Sequence, residues 1–156
     1  MKIVACIKYV PDTTIKIKIS PDGKKVDLSD IAFIVNPYCE FALEEALKIK
    51  EALGGEVIVV SAGPETATAG LRTCLAMGAD SAVLVSDPVF DDADSNLTGK
   101  ALAAICREIQ PDLILFGKHA IGVDNGQVPS IVAESLDIPQ ASVVTKLEVQ
   151  EKRFRA

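Results

Sequence analysis

A chain of 156 residues, 49% hydrophobic and 24% charged, is long enough to bury one core and too apolar to be disordered. Sixteen lysines and arginines against 22 aspartates and glutamates leave a net charge of −6, which argues against nucleic acid as a ligand. Four scattered cysteines offer neither metal-ligand spacing nor a disulfide framework, and no apolar run nears the roughly 20 residues that insert across a membrane.

Met1-Lys2 runs straight into Ile3-Val4-Ala5-Cys6-Ile7, so no signal or transit peptide is expected and the setting reads as cytoplasmic. Ile3–Val10 reads as one central strand ended by Pro11-Asp12. Ile15, Ile17 and Ile19 alternate with Lys16 and Lys18, Pro21-Asp22-Gly23 signals a turn, and Val26 and Leu28 resume the alternation. The pattern predicts a β-hairpin insertion at the domain edge. Asn36 as N-cap and Pro37 at the first helical position open a helix. Its inward residues are Cys39, Ala42, Ala46, Ile49 and Leu53, and Gly54-Gly55 ends it.

Val57–Val60 is the next strand, and Gly63-Pro64 turns the chain into an Ala-rich helix over 66–77 stopped by Gly78. Ala82–Val85 follows, then an acidic loop around Asp91-Asp92, which with Asp94 reads as solvated carboxylates. A helix over 96–110 turns Leu97, Ala101, Ala104, Ile105 and Ile109 inward. Leu113–Phe116 is a fourth core strand, a last helix ends near Asp137, and Ser142–Val149 is a final strand. Alternating units of this kind predict a single α/β domain over 1–156, a doubly wound and mostly parallel sheet flanked by helices. Cys74 and Cys106 read as reduced core thiols.

In such a sheet the ligand lies beyond the carboxyl ends of strands where the strand order reverses. The end of the first strand, at Lys8, Tyr9 and Val10, and the loop at Gly117 are expected to flank that crevice. The stretch from Gly117 to Val128 joins a buried strand to a helix through a glycine-punctuated turn. Strand, turn and helix start gather unpaired N–H groups and a positive helix end, a site for a nucleotide phosphate. It is no P-loop, because Val123-Asp124 follows Gly122, and no G-x-G-x-x-G follows the first strand.

His119, the only histidine, reads as a loop residue making a polar contact. Lys118 reads as a phosphate partner or a solvated lysine, and Asp124 and Asn125 as turn-shaping and helix-capping residues. Gly126 offers positive φ or close backbone approach, with Gln127 and Val128 lending N–H groups. No catalytic constellation emerges.

Several separated blocks together resemble the small (beta) subunit of electron transfer flavoprotein. They are Val4–Val10 with Lys8, Asn36-Pro37-Tyr38-Cys39-Glu40 leading to Glu44-Glu45-Ala46, Ser61-Ala62-Gly63-Pro64, Arg72 through Asp80, Gly117-Lys118-His119-Ala120-Ile121, and Pro139-Gln140. The resemblance implies an adenine nucleotide alpha hydrolase-like fold and an electron carrier, not an enzyme, made of two different subunits. The large (alpha) subunit would hold most contacts to a redox-active FAD. The small one would bury AMP or, in bifurcating members, a second FAD. Dehydrogenases such as acyl-CoA dehydrogenase would exchange electrons with the assembly.

Carried onto this chain, the nucleotide positions are Cys6, Asn36, Pro37, Tyr38, Cys39 and Ala62. The segment Gly117, Lys118, His119, Ala120, Ile121, Gly122, Val123, Asp124, Asn125, Gly126, Gln127 and Val128 completes the set. Many relatives carry Asn-Gln-Thr where this chain has Gly126-Gln127-Val128, which leaves AMP and FAD both open. Family members also continue past Ala156, so the chain reads as C-terminally truncated, without the partner-docking loop. The alternative is a stand-alone ATP-binding module resembling universal stress proteins, whose phosphate loop ends Gly-Ser/Thr where Gly126 here precedes Gln127.

Overall fold

The computed structural model of the chain describes residues 1–14, 16, 18–24, 26–150 and 153–156, with 91 and 92 by their backbone alone. In order the elements are β1 (Lys2–Cys6), β2 (Tyr9–Pro11), β3 (Lys18–Ile19), β4 (Val26–Asp27), β5 (Phe33–Val35) and α1 (Pro37–Leu53). Then come β6 (Glu56–Ala62), α2 (Thr68–Met77), β7 (Ser81–Val85), α3 (Ser95–Ile109), β8 (Leu113–Phe116) and α4 (Val128–Leu136). The strands β9 (Glu148–Gln150) and β10 (Arg153–Arg155) close the sequence.

Four strands form one sheet in the order β7-β6-β1-β8, every pair parallel. The order reverses at β1, which is flanked by β6 on one side and β8 on the other. Because helices cover both faces, these strands carry unbroken apolar runs, Ile3–Cys6, Val57–Val60, Ala82–Val85 and Leu113–Phe116, instead of alternating with polar residues. Successive side chains of β1 point to opposite layers. Ile3 and Ala5 join Val57 and Val59 against Leu43, Ala46 and Ile49 of α1 and Leu71 and Cys74 of α2. Val4 and Cys6 join Ile58 and Val60 against Leu102, Ala103 and Cys106 of α3 and Val132 of α4.

The apolar run Ile3–Val10 is not one strand. β1 ends at Cys6, with Ile7 still donating to the Val60 carbonyl at 2.9 Å, and Tyr9–Pro11 then pairs antiparallel with Phe33–Val35. Ile7 and Val10 are both buried, so apolarity continues while the hydrogen-bonding partner changes. Ser142–Val149 is not a strand of the main sheet either. Only Glu148–Gln150 pairs, with Arg153–Arg155, in a separate antiparallel ribbon. Val143 and Val144 are 68% and 44% exposed, so their apolarity is not spent on a core.

β3 and β4 pair antiparallel around a turn where Gly23 donates to the Ser20 carbonyl at 2.8 Å with φ +71°. The alternation at Ile15 and Ile17 lies outside the described residues, as do the side chains of Asp91 and Asp92.

α1 buries the expected face, with Cys39, Ala42, Ala46 and Ile49 inward, but α3 turns a different face to the core. In α1, Leu43 is fully buried while Leu53 is 46% exposed. In α3 the buried stripe is Gly99, Leu102, Ala103 and Cys106, with Leu97 and Ala104 exposed and Ile105 and Ile109 at the margin. Small residues set that phase. A Cβ on Gly99 would lie 2.5 Å from Cγ2 and 2.8 Å from Cβ of Ile131 on α4, a stiff β-branched neighbour. Gly99→Ala is expected to cost about 1–3 kcal/mol, part of it recovered in the Ile131→Ala background, as measured by a urea double-mutant cycle.

Asp80 ties the start of β7 to its neighbours. Its carboxylate accepts from Lys50 Nζ at 2.7 Å and from the Val57 N–H at 2.8 Å. The Lys50 contact first, then the Val57 N–H, holds its carboxyl below the usual carboxylate value. A depressed folded pKa contributes stability that is present above the unfolded value and lost as pH falls through the folded one. Asp80→Asn is therefore expected to unfold more readily at pH 7, with the gap to the parent closing below about pH 3.9 in pH-resolved thermal melts. Among the described residues no helix is long and apolar enough to cross a membrane.

Candidate functional site

A cleft of about 380 Å³ opens at the carboxyl ends of β1, β6 and β8. β1 and its extension contribute Cys6, Ile7 and Lys8, and the end of β6 contributes Ser61, Ala62 and Gly63. The start of α1 supplies Asn36 and Cys39, and the start of α3 supplies Asp94, Ser95 and Thr98. The segment after β8 completes the wall with Gly117, Lys118, His119, Ala120, Val123, Asn125, Gly126, Gln127 and Val128. Most of the residues expected from sequence therefore meet in one place, at the point where the strand order reverses.

Five do not line the cleft. Pro37 is the first residue of α1, and Tyr38 packs edge-on against the His119 ring, centroids 4.2 Å apart. Gly122 and Asp124 bend the loop at φ +87° and +51°, and Asp124 Oδ1 lies 3.4 Å from His119 Nε2. The Ile121 N–H donates to Asn36 Oδ1 at 3.2 Å.

Asn36 stands at the N-cap position, but its side chain caps nothing. Fully buried, it donates through Nδ2 to the His119 carbonyl at 2.9 Å and to Cys39 Sγ at 3.1 Å. Its own N–H donates to the Lys8 carbonyl at 2.8 Å. One amide thus locks the end of β1, the first turn of α1 and the loop after β8 into one unit. Gly117 makes that approach possible, since a Cβ there would sit 2.6 Å from the Tyr38 carbonyl carbon.

The capping of α4 also departs from expectation. Its N-cap is Gln127, in helical geometry and without a side-chain cap. Asn125 accepts from the Gln127 N–H only at 3.4 Å and donates to Ser95 Oγ at 2.8 Å. By contrast the start of α3 is neutralised by Asp94, which accepts from the Leu97 N–H at 2.8 Å. α4 has no acid in its first turn, and the N–H groups of Asn125, Gly126 and Val128 find no acceptor among the described residues. Gly126, at φ +59°, turns the chain there with its Cβ direction 3.3 Å from the Lys118 carbonyl. Orphan donors and a positive helix end therefore meet at one spot.

The cleft thiols are neutral. Burial pushes Cys39 up, opposed by hydrogen bonds from Asn36 and from the backbone of Lys8 and Gly117. The hydrogen bond with Cys106, then burial, pushes Cys6 well up. All four cysteines are free and buried. Lys8 is open to solvent by area, yet partial desolvation against the cleft wall lowers its pKa, with Cys39 pulling weakly the other way. An apolar floor, orphan N–H donors and two lysines, Lys8 and Lys118, suit an anionic ligand with an apolar body.

Residues 25–156 match the family model described as the electron transfer flavoprotein domain. The chain belongs to the electron transfer flavoprotein family. It is 43% identical to the electron transfer flavoprotein subunit beta of Thermoanaerobacterium thermosaccharolyticum, over 96% of this chain and 57% of that protein. It is 42% identical to Protein FixA of Azotobacter vinelandii, over 94% of this chain and 53% of that one. It is equally 42% identical to the caffeyl-CoA reductase-Etf complex subunit CarD of Acetobacterium woodii, over 98% and 59%. The chain thus spans somewhat more than half the length of these relatives.

Sequence reasoning missed several lining residues, Ser61, Ser95 and Thr98 among them. Ser61 sat in plain view inside the Ser-Ala-Gly-Pro block, but a serine at a strand end carries no signal of its own.

Proposed function

We propose that this chain is the nucleotide-holding part of the small subunit of an electron transfer flavoprotein. It buries an adenine nucleotide, AMP or a second FAD, in the cleft at the ends of β1 and β8. It pairs with a large subunit that carries most contacts to the redox-active FAD. The assembly passes electrons between dehydrogenases, acyl-CoA dehydrogenase among them, and downstream acceptors, in the cytoplasm, and the chain itself is not an enzyme. The observation that carries this reading is the uncapped start of α4, with its orphan N–H groups, at the strand-order reversal.

The residues present fit such a ligand. The N–H groups of Gly126 and Val128 would take the phosphate, with Lys118 as a nearby cation. Cys6, Ala62, Leu102 and Phe116 would enclose the base, since neutral thiols and aliphatic groups accept an apolar ring face without cost. The bound FAD of the partner supplies the electron chemistry. This chain's residues bind, orient and exclude water. The name of the Acetobacterium woodii relative, a subunit of an Etf complex, agrees with a subunit role.

Co-expression with a large subunit, denaturation and mass spectrometry of the released small molecules test the reading. About one AMP or one extra FAD per chain is expected. A pure complex that releases no adenine nucleotide beyond the large subunit's FAD overturns it.

A further inference from the structure

Asparagines stand at positions 36, 96 and 125, and their surroundings differ in one chemical respect. Asparagine is thermolabile because the backbone nitrogen of the following residue can attack its Cγ. Asn36 is buried and precedes Pro37, which has no N–H to give up. Asn96 precedes Leu97, whose N–H is engaged by Asp94 at 2.8 Å. Asn125 precedes Gly126, which has no side chain to shield the approach and sits at φ +59°. The Gly126 N–H has no acceptor among the described residues. Both residues are exposed, so water reaches them.

The fold also places a partner on each end of the Asn125 amide. Oδ1 accepts from the Gln127 N–H at 3.4 Å, and Nδ2 donates to Ser95 Oγ at 2.8 Å. Attack at Cγ turns Oδ1 into an oxyanion, and the Gln127 N–H is the donor aimed at it. Attack also turns Nδ2 into an amine. The Ser95 hydroxyl, whose own hydrogen is not used in that bond, can hand the amine a proton and recover one from water. The first turn of α4 carries no acid, so the positive helix end favours deprotonation of the attacking nitrogen.

We propose that Asn125-Gly126 is a self-modification site, where the folded chain converts Asn125 through a cyclic imide to aspartate and isoaspartate. The Gly126 N–H gives its proton to solvent hydroxide, the N–Cγ bond forms, and the Cγ–Nδ2 bond breaks with release of ammonia. Water then opens the imide, at Cγ to leave aspartate or at the backbone carbonyl to leave isoaspartate. The reaction consumes water and needs no oxidant. The new carboxylate at position 125 accepts from the N–H groups at the start of α4 and competes there with a ligand anion. The conversion stands on the geometry of the turn, and only this last consequence rests on the adenine-nucleotide reading.

Peptide mapping by mass spectrometry, with enzymatic methylation to mark isoaspartate, decides it on the chain held at mildly alkaline pH, folded and in urea. The folded chain is expected to convert position 125 at least as fast as the unfolded one, while Asn36 and Asn96 keep their amides. Ser95→Ala, checked for folding by urea titration, should lower the folded-to-unfolded rate ratio about tenfold through loss of the proton donor. An amide that persists at position 125 in the folded parent overturns the inference. So does a rate ratio that Ser95→Ala leaves unchanged. AMP at roughly ten times its dissociation constant should slow the conversion about tenfold by occupying the same N–H groups. Conversion at an unchanged rate with AMP bound would support the modification and count against the phosphate placement instead.

Discussion

Gly117→Ala is expected to lose about 2–3 kcal/mol of stability and to weaken nucleotide binding by at least about tenfold. A Cβ at this position would sit 2.6 Å from the Tyr38 carbonyl carbon, 2.7 Å from the Cys39 nitrogen and 2.8 Å from the Tyr38 oxygen. All three are backbone atoms, so no side chain can rotate away. The first turn of α1 is itself held by the Cys39 N–H, which donates to the Asn36 carbonyl at 2.7 Å. The end of β8 or the start of α1 must then move, and the loop carrying the orphan N–H groups moves with it. Gly63→Ala is the control, because a Cβ there meets nothing within 4 Å, and it should change stability by less than about 0.5 kcal/mol. Urea denaturation separates the two. Equal stability of both variants would show that the approach of α1 to β8 is looser than its geometry implies.

The second large effect belongs to Asn36. Truncation to alanine removes the acceptor of the Ile121 N–H and the donor to the His119 carbonyl, both part-buried bonds. Leaving such groups unmet costs about 1–3 kcal/mol each, so Asn36→Ala should lose roughly 2–6 kcal/mol. Asn36→Asp probes the same site by charge. It keeps an acceptor for Ile121 but sets a buried carboxylate against the His119 carbonyl and the Cys39 sulfur. Burial then raises the folded pKa of that carboxyl, so the penalty is smallest near pH 4 and grows as pH rises above the unfolded value. Melting temperatures from pH 4 to 8 check this: the gap between Asn36→Asp and the parent should widen upward, and a gap that narrows contradicts the buried placement.

Much of this fold is legible in the sequence because a parallel sheet covered on both faces writes itself as uninterrupted apolar runs. Val57–Val60, Ala82–Val85 and Leu113–Phe116 all fall within strands of the main sheet. The same rule misleads at Ile3–Val10, where Val10 is as buried as Val4 but belongs to a different ribbon. Burial identifies an interior residue without naming its hydrogen-bonding partner. The phase of α3 is illegible for a related reason. Its apolar residues cover more than half the circumference, and the close contact of Gly99 with Ile131 decides which side faces inward.

At the site, the turn from Gly117 to Val128 announces itself through glycine spacing and its place after a buried strand. The work of Asn36 does not. Its partners His119 and Ile121 lie 83 and 85 residues away, and a helix cap is the natural local reading of Asn-Pro. Long-range polar pairing of this kind has no sequence period, which is why the brace emerges only from the folded chain.

The central claim is that the uncapped start of α4 presents its N–H groups to a nucleotide phosphate. Amide nitrogen–proton spectra recorded while AMP is added to the nucleotide-free protein test it most directly. The Gly126 and Val128 amide protons should move downfield together and saturate with the ligand, ahead of the already bonded Ile121 N–H. Saturable binding with those two amides unmoved would place the phosphate elsewhere and contradict the account.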